Sequence, residues 1–393
     1  MLYGFLNLPW WGDLLALMIL TQLTIFSVTL FLHRCQAHRA LELHPVISHF
    51  FRFWLWLTTG IITKEWAAIH RKHHAKVETD DDPHSPIAKG IKKVFFEGAE
   101  LYRLEAKNNE TLSRYGEGTP NDWLERNLYS RYSIAGVVLM LLIDLFLFGM
   151  VGITIWALQM AWIPLFAAGV VNGIGHYFGY RNFESKDASR NIIPIGVFIG
   201  GEELHNNHHA YATSAKFSAK WWEIDMGWVM IRFLQALKLA KPKRIMPTPK
   251  MLPTKTNIDT DTIKALITYR FQVMARYTRE VVLPIWQEEK KRAGKASKDL
   301  LARAKVALIR DESLIKATQQ TRLAKVLENF QSLRTVYQFR MNLQNIWSRS
   351  TASQKELLEA VQEWCQQAEA TRIDSLLHFA RRLKMYVPQE VKV

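Results

Sequence analysis

Nine histidines in this 393-residue chain stand in short clusters beside long apolar segments. They are His33 and His38, then His70, His73 and His74, then His176, and finally His205, His208 and His209. In an α-helix, positions i, i+3 and i+4 share one face, so the motifs HRKHH and HNNHH each present three imidazoles in one direction. Two such faces predict a metal-binding cage.

The other two clusters have different spacings. HRCQAH places His33 and His38 five residues apart, which an ideal α-helix does not align, so we expect a helix end or a bend there. In VNGIGH, Asn172 and His176 are four apart and would add a nitrogen ligand and a water-binding amide.

The number of donors indicates more than one metal ion. Imidazole binds iron, zinc, copper and nickel, so the ligand type alone does not choose the metal. Nine donors exceed one tetrahedral zinc, and the thiolates typical of closed structural zinc sites are missing. We therefore expect two metal ions. Glu202 and Asp82 are predicted to orient imidazole N–H groups from outside the ligand shell, and Asn172 and Glu202 form the predicted catalytic set. Isolated histidines such as His378 receive no role.

The composition predicts a membrane protein in the first part of the chain. Hydrophobic residues make up 49% of the sequence, and most of the 14 tryptophans precede residue 240. Residues 11–32 form an apolar run of spanning length, and 134–180 has room for two spans of about 20 residues each. Asp144 is the lone acid of the second segment and stays unassigned.

Topology limits how residues 45–62 are interpreted. A crossing there would put the first two histidine clusters on opposite sides of the membrane, so we predict a helix lying in the interface, with Arg52 snorkelling among aromatic residues. Basic residues around 89–93 and 238–244 place the site on the cytoplasmic side of the inner membrane.

The remainder of the chain differs in charge. Residues 241–393 contain 29 Lys and Arg against 15 Asp and Glu, nearly all of the formal net charge of +15. Prolines punctuate the transition, and beyond about residue 258 the pattern is helical, with Leu300, Leu301, Val306, Leu308 and Ile309 among basic residues. We predict domains at 1–245 and 246–393, in an all-α membrane protein with a soluble helical extension. The charge would suit anionic lipid or nucleic acid, but a solvated helix surface is the simpler interpretation.

The motifs HRCQAH, EWAAIHRKHH, ETDDDPH, NGIGHYFGYR and GGEELHNNHH closely resemble the membrane fatty acid desaturases of the stearoyl-CoA Δ9 type, over roughly residues 10–245. The resemblance implies that the nine histidines bind two irons and that Asn172 meets an iron through water. The extension resembles the C-terminal helices of some bacterial transposases in its RTVYQF segment, without a recognisable catalytic triad.

Three departures concern the substrate. Animal members of the family carry a further span before the first histidine motif, for which few residues precede Trp11. Their Arg-Asp pair that contacts CoA is replaced by Ala68-Ile69, and the tryptophan three positions before the asparagine is replaced by Gly169. The first two changes weaken the case for acyl-CoA, and the third bears on chain length and double-bond position.

The expected reaction is O2-dependent insertion of a cis double bond, at Δ9, into an acyl chain of a membrane lipid or of acyl-CoA. An unactivated methylene has no acidic proton, so an iron–oxygen oxidant is required. Electrons must come from a ferredoxin-like or other redox protein with its reductase, since HPGG, flavin and ferredoxin motifs are missing from the sequence. Nucleic acid is not an expected partner. The alternatives are a hydroxylase or ketolase with similar histidine motifs, and a non-catalytic membrane protein that binds metal or nucleic acid.

Overall fold

The computed structural model describes residues 4–348 and 353–389; the outermost residues of the two predicted domains lie outside these ranges. The chain is mostly helical, with 67% of it in helices, which confirms the all-α character of the predicted fold class. It divides into two compact units, one of Met1–Asn182 with Asp187–Met246 and the other of Phe183–Lys186 with Pro247–Val393.

The α-helices of the first unit are α1 (Trp10–Phe26), α2 (Pro45–Thr58), α3 (Thr63–Lys76), α4 (Pro86–Lys89), α5 (Ile91–Glu105), α6 (Asn109–Tyr115), α7 (Ser133–Phe148), α8 (Val151–Ile163), α9 (His205–Ala210) and α10 (Met226–Ala236). Segments of π-helix cover Ser27–Ala37, Glu125–Tyr129 and Pro164–Val171, and Ile174–His176 is a 3₁₀ turn. The strands are β1 (Leu41–Leu43), β2 (Ile195–Gly196), β3 (Ile224–Asp225) and β4 (Ala240–Pro242). Strand β1 pairs antiparallel with β4, and β2 pairs parallel with β3.

Two helices are long and apolar enough to cross a membrane, by length and composition. They are Trp10–Ala37, where α1 continues into the π segment, and Val151–His176. The predicted first span is thus present as a helix. Of the predicted pair between residues 134 and 180, only the second reaches spanning length. Helix α7 has 16 residues, which at about 1.5 Å each gives about 24 Å, short of a hydrocarbon core of about 30 Å.

Helix α2 packs against α7. The Trp56 indole N–H donates to the carbonyl of Tyr132, and Gly136 lies against the carbonyl of Trp56. The prediction for Arg52 is wrong. Its guanidinium is buried and donates to the carboxylates of Asp122 and Glu125, so it lies in an ion-paired cluster within the protein.

Asp144 also has a partner. It is buried between α7 and α8, where the Gln159 amide N–H donates to its carboxylate over 3.0 Å. This contact explains why a carboxyl group is tolerated in an apolar helix.

The helices of the second unit are α11 (Thr260–Thr268), α12 (Arg270–Tyr277), α13 (Leu283–Arg292), α14 (Lys295–Ile309), α15 (Ala317–Asn329), α16 (Gln331–Ser348), α17 (Gln354–Ala370) and α18 (Asp374–Lys384). A π segment at Thr278–Val282 joins α12 to α13, and a 3₁₀ turn covers Glu312–Leu314. Strands β5 (Lys250–Met251) and β6 (Tyr386–Val387) pair antiparallel, so the two ends of the unit meet.

The second unit has its own hydrophobic core, as its helical pattern predicts. Leu301 and Leu308 are fully buried, Leu300 and Ile309 pack against the core, and Val306 is exposed. The Tyr277 hydroxyl donates to the carbonyl of Val336 over 2.7 Å in the interior.

Candidate metal centre

The structure brings all nine predicted histidines together and divides them into two groups. The larger group, which we call the five-histidine group, contains His33, His38, His70, His74 and His208. The other, the four-histidine group, contains His73, His176, His205 and His209. Within each group, one ligand atom of every residue lies within 4.8 Å of the others.

Each HxxHH motif contributes to both groups. In α3, His70 and His74 face the five-histidine group while His73 faces the other. In α9, His208 faces the five-histidine group, while His205 and His209 face the four-histidine group. The rings of His74 and His209 stack at 4.4 Å, so the two groups adjoin.

Imidazole Nε2 atoms converge in both groups. In the five-histidine group, Nε2 of His38 lies 2.8 Å from that of His70, and Nε2 of His208 lies 3.0 Å from that of His74 and 3.1 Å from that of His33. In the four-histidine group, Nε2 of His205 lies 2.9 Å from that of His176.

Four carboxylates contact Nδ1, the other ring nitrogen, of four of these histidines. The Nδ1 atoms of His33, His73 and His176 lie 2.8, 2.9 and 2.9 Å from the carboxylates of Glu202, Asp82 and Glu78. Nδ1 of His209 lies 3.5 Å from Asp187. A carboxylate on Nδ1 places the imidazole proton there and leaves a lone pair on Nε2, as in carboxylate–histidine–metal triads.

This donor set fits metal ions. Nε2 of His73 and of His209 are buried and have no hydrogen-bond partner in the described part of the chain. Burial lowers the pKa of six of the nine histidines well below its ordinary value, and neighbouring imidazoles lower it further; these are His38, His70, His73, His74, His205 and His208. Neutral imidazoles with converging lone pairs are the form that binds a metal ion.

The two predicted orienting carboxylates lie where expected, and two more were missed. Glu202 also accepts the Thr29 hydroxyl, and Asp82 accepts the backbone N–H groups of Glu78 and His84. Glu78 stands in the same ETDDDPH motif as Asp82, a local signal that could have identified it. Asp187 lies outside every histidine motif, and only the fold brings it to His209.

Three further polar residues near the centre are Asn172, Glu203 and His84. Asn172 ends the Pro164–Val171 segment one turn before His176 and is partly buried. Glu203 accepts the backbone N–H groups of Ile199 and Gly201, and burial raises its pKa to about 7. The ring of His84 lies 4.3 Å from that of His73, and its buried Nδ1 has no partner in the described residues.

Two arginines join the segments that carry the histidines. Arg34 is fully buried, forms a bidentate pair with Asp225, and donates to the carbonyls of Ala215 and Gly200. Arg71 donates to the carbonyls of Gln36 and Ala37, which satisfies acceptors at the end of the first histidine helix.

Helix α9 is only six residues long and is held by a buried amide network. The Asn207 amide donates to Glu223 over 2.9 Å, and the Asn207 backbone N–H donates to Asn191 over 3.1 Å. Glu223 also accepts from Asn182 and from the Tyr180 hydroxyl. Asn207 of HNNHH therefore anchors the helix, whose histidines face the metal centre.

The residues that depart from the resembled family lie in the interior. Ala68 and Ile69 are buried in α3. A Cβ atom on Gly169 would lie 2.7 Å from the carbonyl oxygen of Phe95. A tryptophan at this position would require α5 to move.

Comparison with known proteins identifies the first unit as an oxidoreductase domain. The fatty acid desaturase family model matches residues 8–236, more than half of the chain. The chain belongs to the fatty acid desaturase family, as a member of its Δ9 type, and it is a fatty acyl desaturase. This confirms the resemblance seen in the motifs.

Similar proteins include an sn-1 stearoyl-lipid 9-desaturase from Synechocystis sp., 32% identical over 226 residues, which are 57% of this chain and 69% of that protein. Delta-9 acyl-lipid desaturase 1 from Arabidopsis thaliana is 29% identical over 58% of this chain and 74% of its own. An acyl-CoA 5-desaturase from Anemone leveillei is 28% identical over 60% of this chain and 73% of its own.

The second unit matches a different family model. A transposase model matches residues 264–389, about a third of the chain. This agrees with the resemblance of the RTVYQF segment.

Proposed function

We propose that the five-histidine group and the four-histidine group each hold one iron and that Asn172 meets an iron through a water molecule. The observation that carries this proposal is the division of the nine imidazoles into two sets of converging Nε2 atoms. When bound, two irons supply the activation of O2 and the oxidation of an unactivated acyl chain. The reaction removes two hydrogens from adjacent CH2 groups and leaves a cis double bond, at Δ9, with release of water.

The protein's own groups position this chemistry. The carboxylates of Glu78, Asp82, Asp187 and Glu202 hold the imidazole protons on Nδ1, so the Nε2 lone pairs keep their direction. Burial keeps water away from the ligands. The Arg34–Asp225 pair and the amide network around Asn207 hold the helices that carry them.

The substrate is an acyl chain esterified in a membrane lipid, in preference to acyl-CoA. Ala68 and Ile69 are buried and apolar, so they offer no charged contact to CoA. Two of the similar proteins are named for lipid-linked substrates and one for acyl-CoA. Purified enzyme should therefore desaturate labelled phospholipid at least as well as labelled acyl-CoA. Use of acyl-CoA alone would contradict this assignment.

Electrons come from an external donor, a ferredoxin-like or other small redox protein with its reductase. The histidine motifs lie on the cytoplasmic side of the inner membrane, with α2 in the interface. Reporter fusions after residues 64 and 215 test this arrangement, since both should report the cytoplasmic side. Opposite sides would exclude a shared site.

One experiment tests the reaction itself. The enzyme is purified in mild detergent, its iron is measured, and products formed from a saturated acyl lipid are analysed by mass spectrometry. Two irons per chain and a loss of two hydrogens support the proposal. A product that gains oxygen would identify a hydroxylase or ketolase, and a protein that binds metal but leaves the acyl lipid unchanged would favour a non-catalytic metal-binding role.

Residues 1–245 form the desaturase domain, and residues 258–393 take no direct part in the reaction. No metal-ligand cluster lies in the described residues of this extension. Its positive charge suits anionic lipid or an acidic electron donor near the membrane.

A further inference from the structure

A set of apolar side chains near the metal centre is exposed. It consists of Ile195, Phe198, Trp221, Trp222 and Ile224, which we call the aromatic patch. Trp221 is 96% exposed and Phe198 is 55% exposed. Large exposed apolar surfaces that are rich in tryptophan mark contacts with a partner or a membrane.

The patch is held in place by backbone pairing. Ile195 of β2 is the register partner of Ile224 of β3, so their side chains lie side by side. The backbone N–H of Ile224 donates to the carbonyl of Pro194 over 2.9 Å. The ring of Trp222 lies 5.5 Å from that of Tyr180.

The segment of residues 222–225, which ends in β3, also supports the metal centre. Residues 222–225 alternate, with Trp222 and Ile224 exposed and Glu223 and Asp225 buried. Glu223 accepts from Asn207, which lies between the ligands of α9, and Asp225 pairs with Arg34 beside His33. Exposed side chains of the patch and buried supports of the centre therefore alternate along one short segment that ends in β3.

The patch adjoins a candidate membrane span. The Trp162 indole N–H lies 3.4 Å from the carbonyl oxygen of Phe198. Leu158 and Leu165, one turn on either side of Trp162 in the span Val151–His176, are exposed. The apolar surface of the span thus continues onto the patch.

From this continuity we propose that the aromatic patch lies in the boundary between headgroups and acyl chains of the bilayer and sets the depth of the metal centre relative to the leaflet. Tryptophan is favoured at this depth, and the exposed Lys220 beside Trp221 can reach the headgroups. The inference rests on the proposed membrane span. It implies that the substrate acyl chain enters the site directly from the leaflet.

Nitroxide labelling tests the proposal in the full chain reconstituted in phospholipid nanodiscs. Trp221→Cys is made in a Cys35→Ala, Cys365→Ala background, with Leu158→Cys as the lipid reference and Lys355→Cys as the water reference. Iron content is measured for each labelled protein to check the centre. The label at 221 should be several-fold more accessible to O2, relative to a water-soluble nickel chelate, than the label at 355.

The other outcomes contradict the proposal in distinguishable ways. If the label at 221 behaves like the one at 355 while the one at 158 behaves as lipid-exposed, the patch lies in water and the span stands. If the labels at 158 and 221 both behave as water-exposed, the proposed span itself is wrong. Exclusion of both reagents at 221 would show that a protein surface, such as a second copy of this chain, covers the patch.

Discussion

The backbone N–H of His38 donates to the carbonyl oxygen of His33, five residues earlier, over 3.1 Å. This bond belongs to the π-helical segment Ser27–Ala37, in which the wider turn brings residues five apart towards one face. Both imidazoles therefore reach the five-histidine group, with ring centroids 4.9 Å apart. The helix ends at Ala37, which confirms the predicted helix end.

The ligand histidines are expected to be individually required. His70→Ala removes a donor from the five-histidine group and His205→Ala removes one from the four-histidine group, so each should lower bound iron and abolish desaturation while the helical fold persists. Iron content and circular dichroism measure this. His378→Ala is the control and should behave as wild type, because His378 lies in α18 far in sequence from either group. Full activity in His205→Ala would argue against the shared site.

Asp82→Asn tests the orienting carboxylates. Because Asp82 fixes the Nδ1 proton of His73, the variant should lose about 10–100-fold in metal affinity or activity. Metal titration of the apo-protein measures it. Asp81→Asn is the matched control, since the side chain of Asp81 is 68% exposed and contacts only the surface Lys76 in the described residues. Equal losses in the two variants would contradict the role of Asp82.

Loss of the buried Arg34–Asp225 pair should destabilise the protein far more than loss of an exposed ion pair. Asp225→Asn leaves the guanidinium of Arg34 buried without a counter-ion, which costs about 3–5 kcal/mol. The thermal midpoint in detergent should fall accordingly. Glu42→Gln breaks the exposed pair with Lys243 and should cost about 0–1 kcal/mol. Similar midpoints for both variants would show that the buried pair is not required.

Gly169→Ala tests the close contact between α5 and the Pro164–Val171 segment. The added Cβ meets the carbonyl of Phe95, and such overpacking costs about 1–3 kcal/mol. Gly294→Ala is the control, because nothing lies within 4 Å of a Cβ there. Unfolding midpoints compare the two. A Gly169→Ala variant as stable as Gly294→Ala would mean that α5 shifts without cost.

Removal of the extension should leave the centre intact. Strand β5 pairs with β6 inside the second unit, so the truncation is best placed after Met246 rather than near residue 257. We expect unchanged iron binding and a partial loss of turnover that shrinks at high ionic strength, since salt screens charge attraction. A truncated enzyme that retains iron but fails even with a strong artificial reductant would show a direct role for the extension.

The sequence by itself determined the donors and their local geometry. Spacing within HRKHH and HNNHH places three imidazoles on a helical face, and that rule is local because it depends only on the rise and turn of the helix. The same is true of the helical pattern in the second unit and of the end of the first histidine helix. Family-specific motifs then identified the desaturase type.

Only the tertiary structure decided which histidine joins which group. His73 and His74 are neighbours in sequence and face different groups, because His176, His205 and His209 pack around the first whereas His33, His38 and His208 pack around the second. Asp187, Arg52 and Asp225 likewise acquired their roles through contacts between distant segments. Helical periodicity fixes the direction of a side chain relative to the axis of its own helix. The charge or lone pair that the side chain meets depends on how that helix packs against other segments.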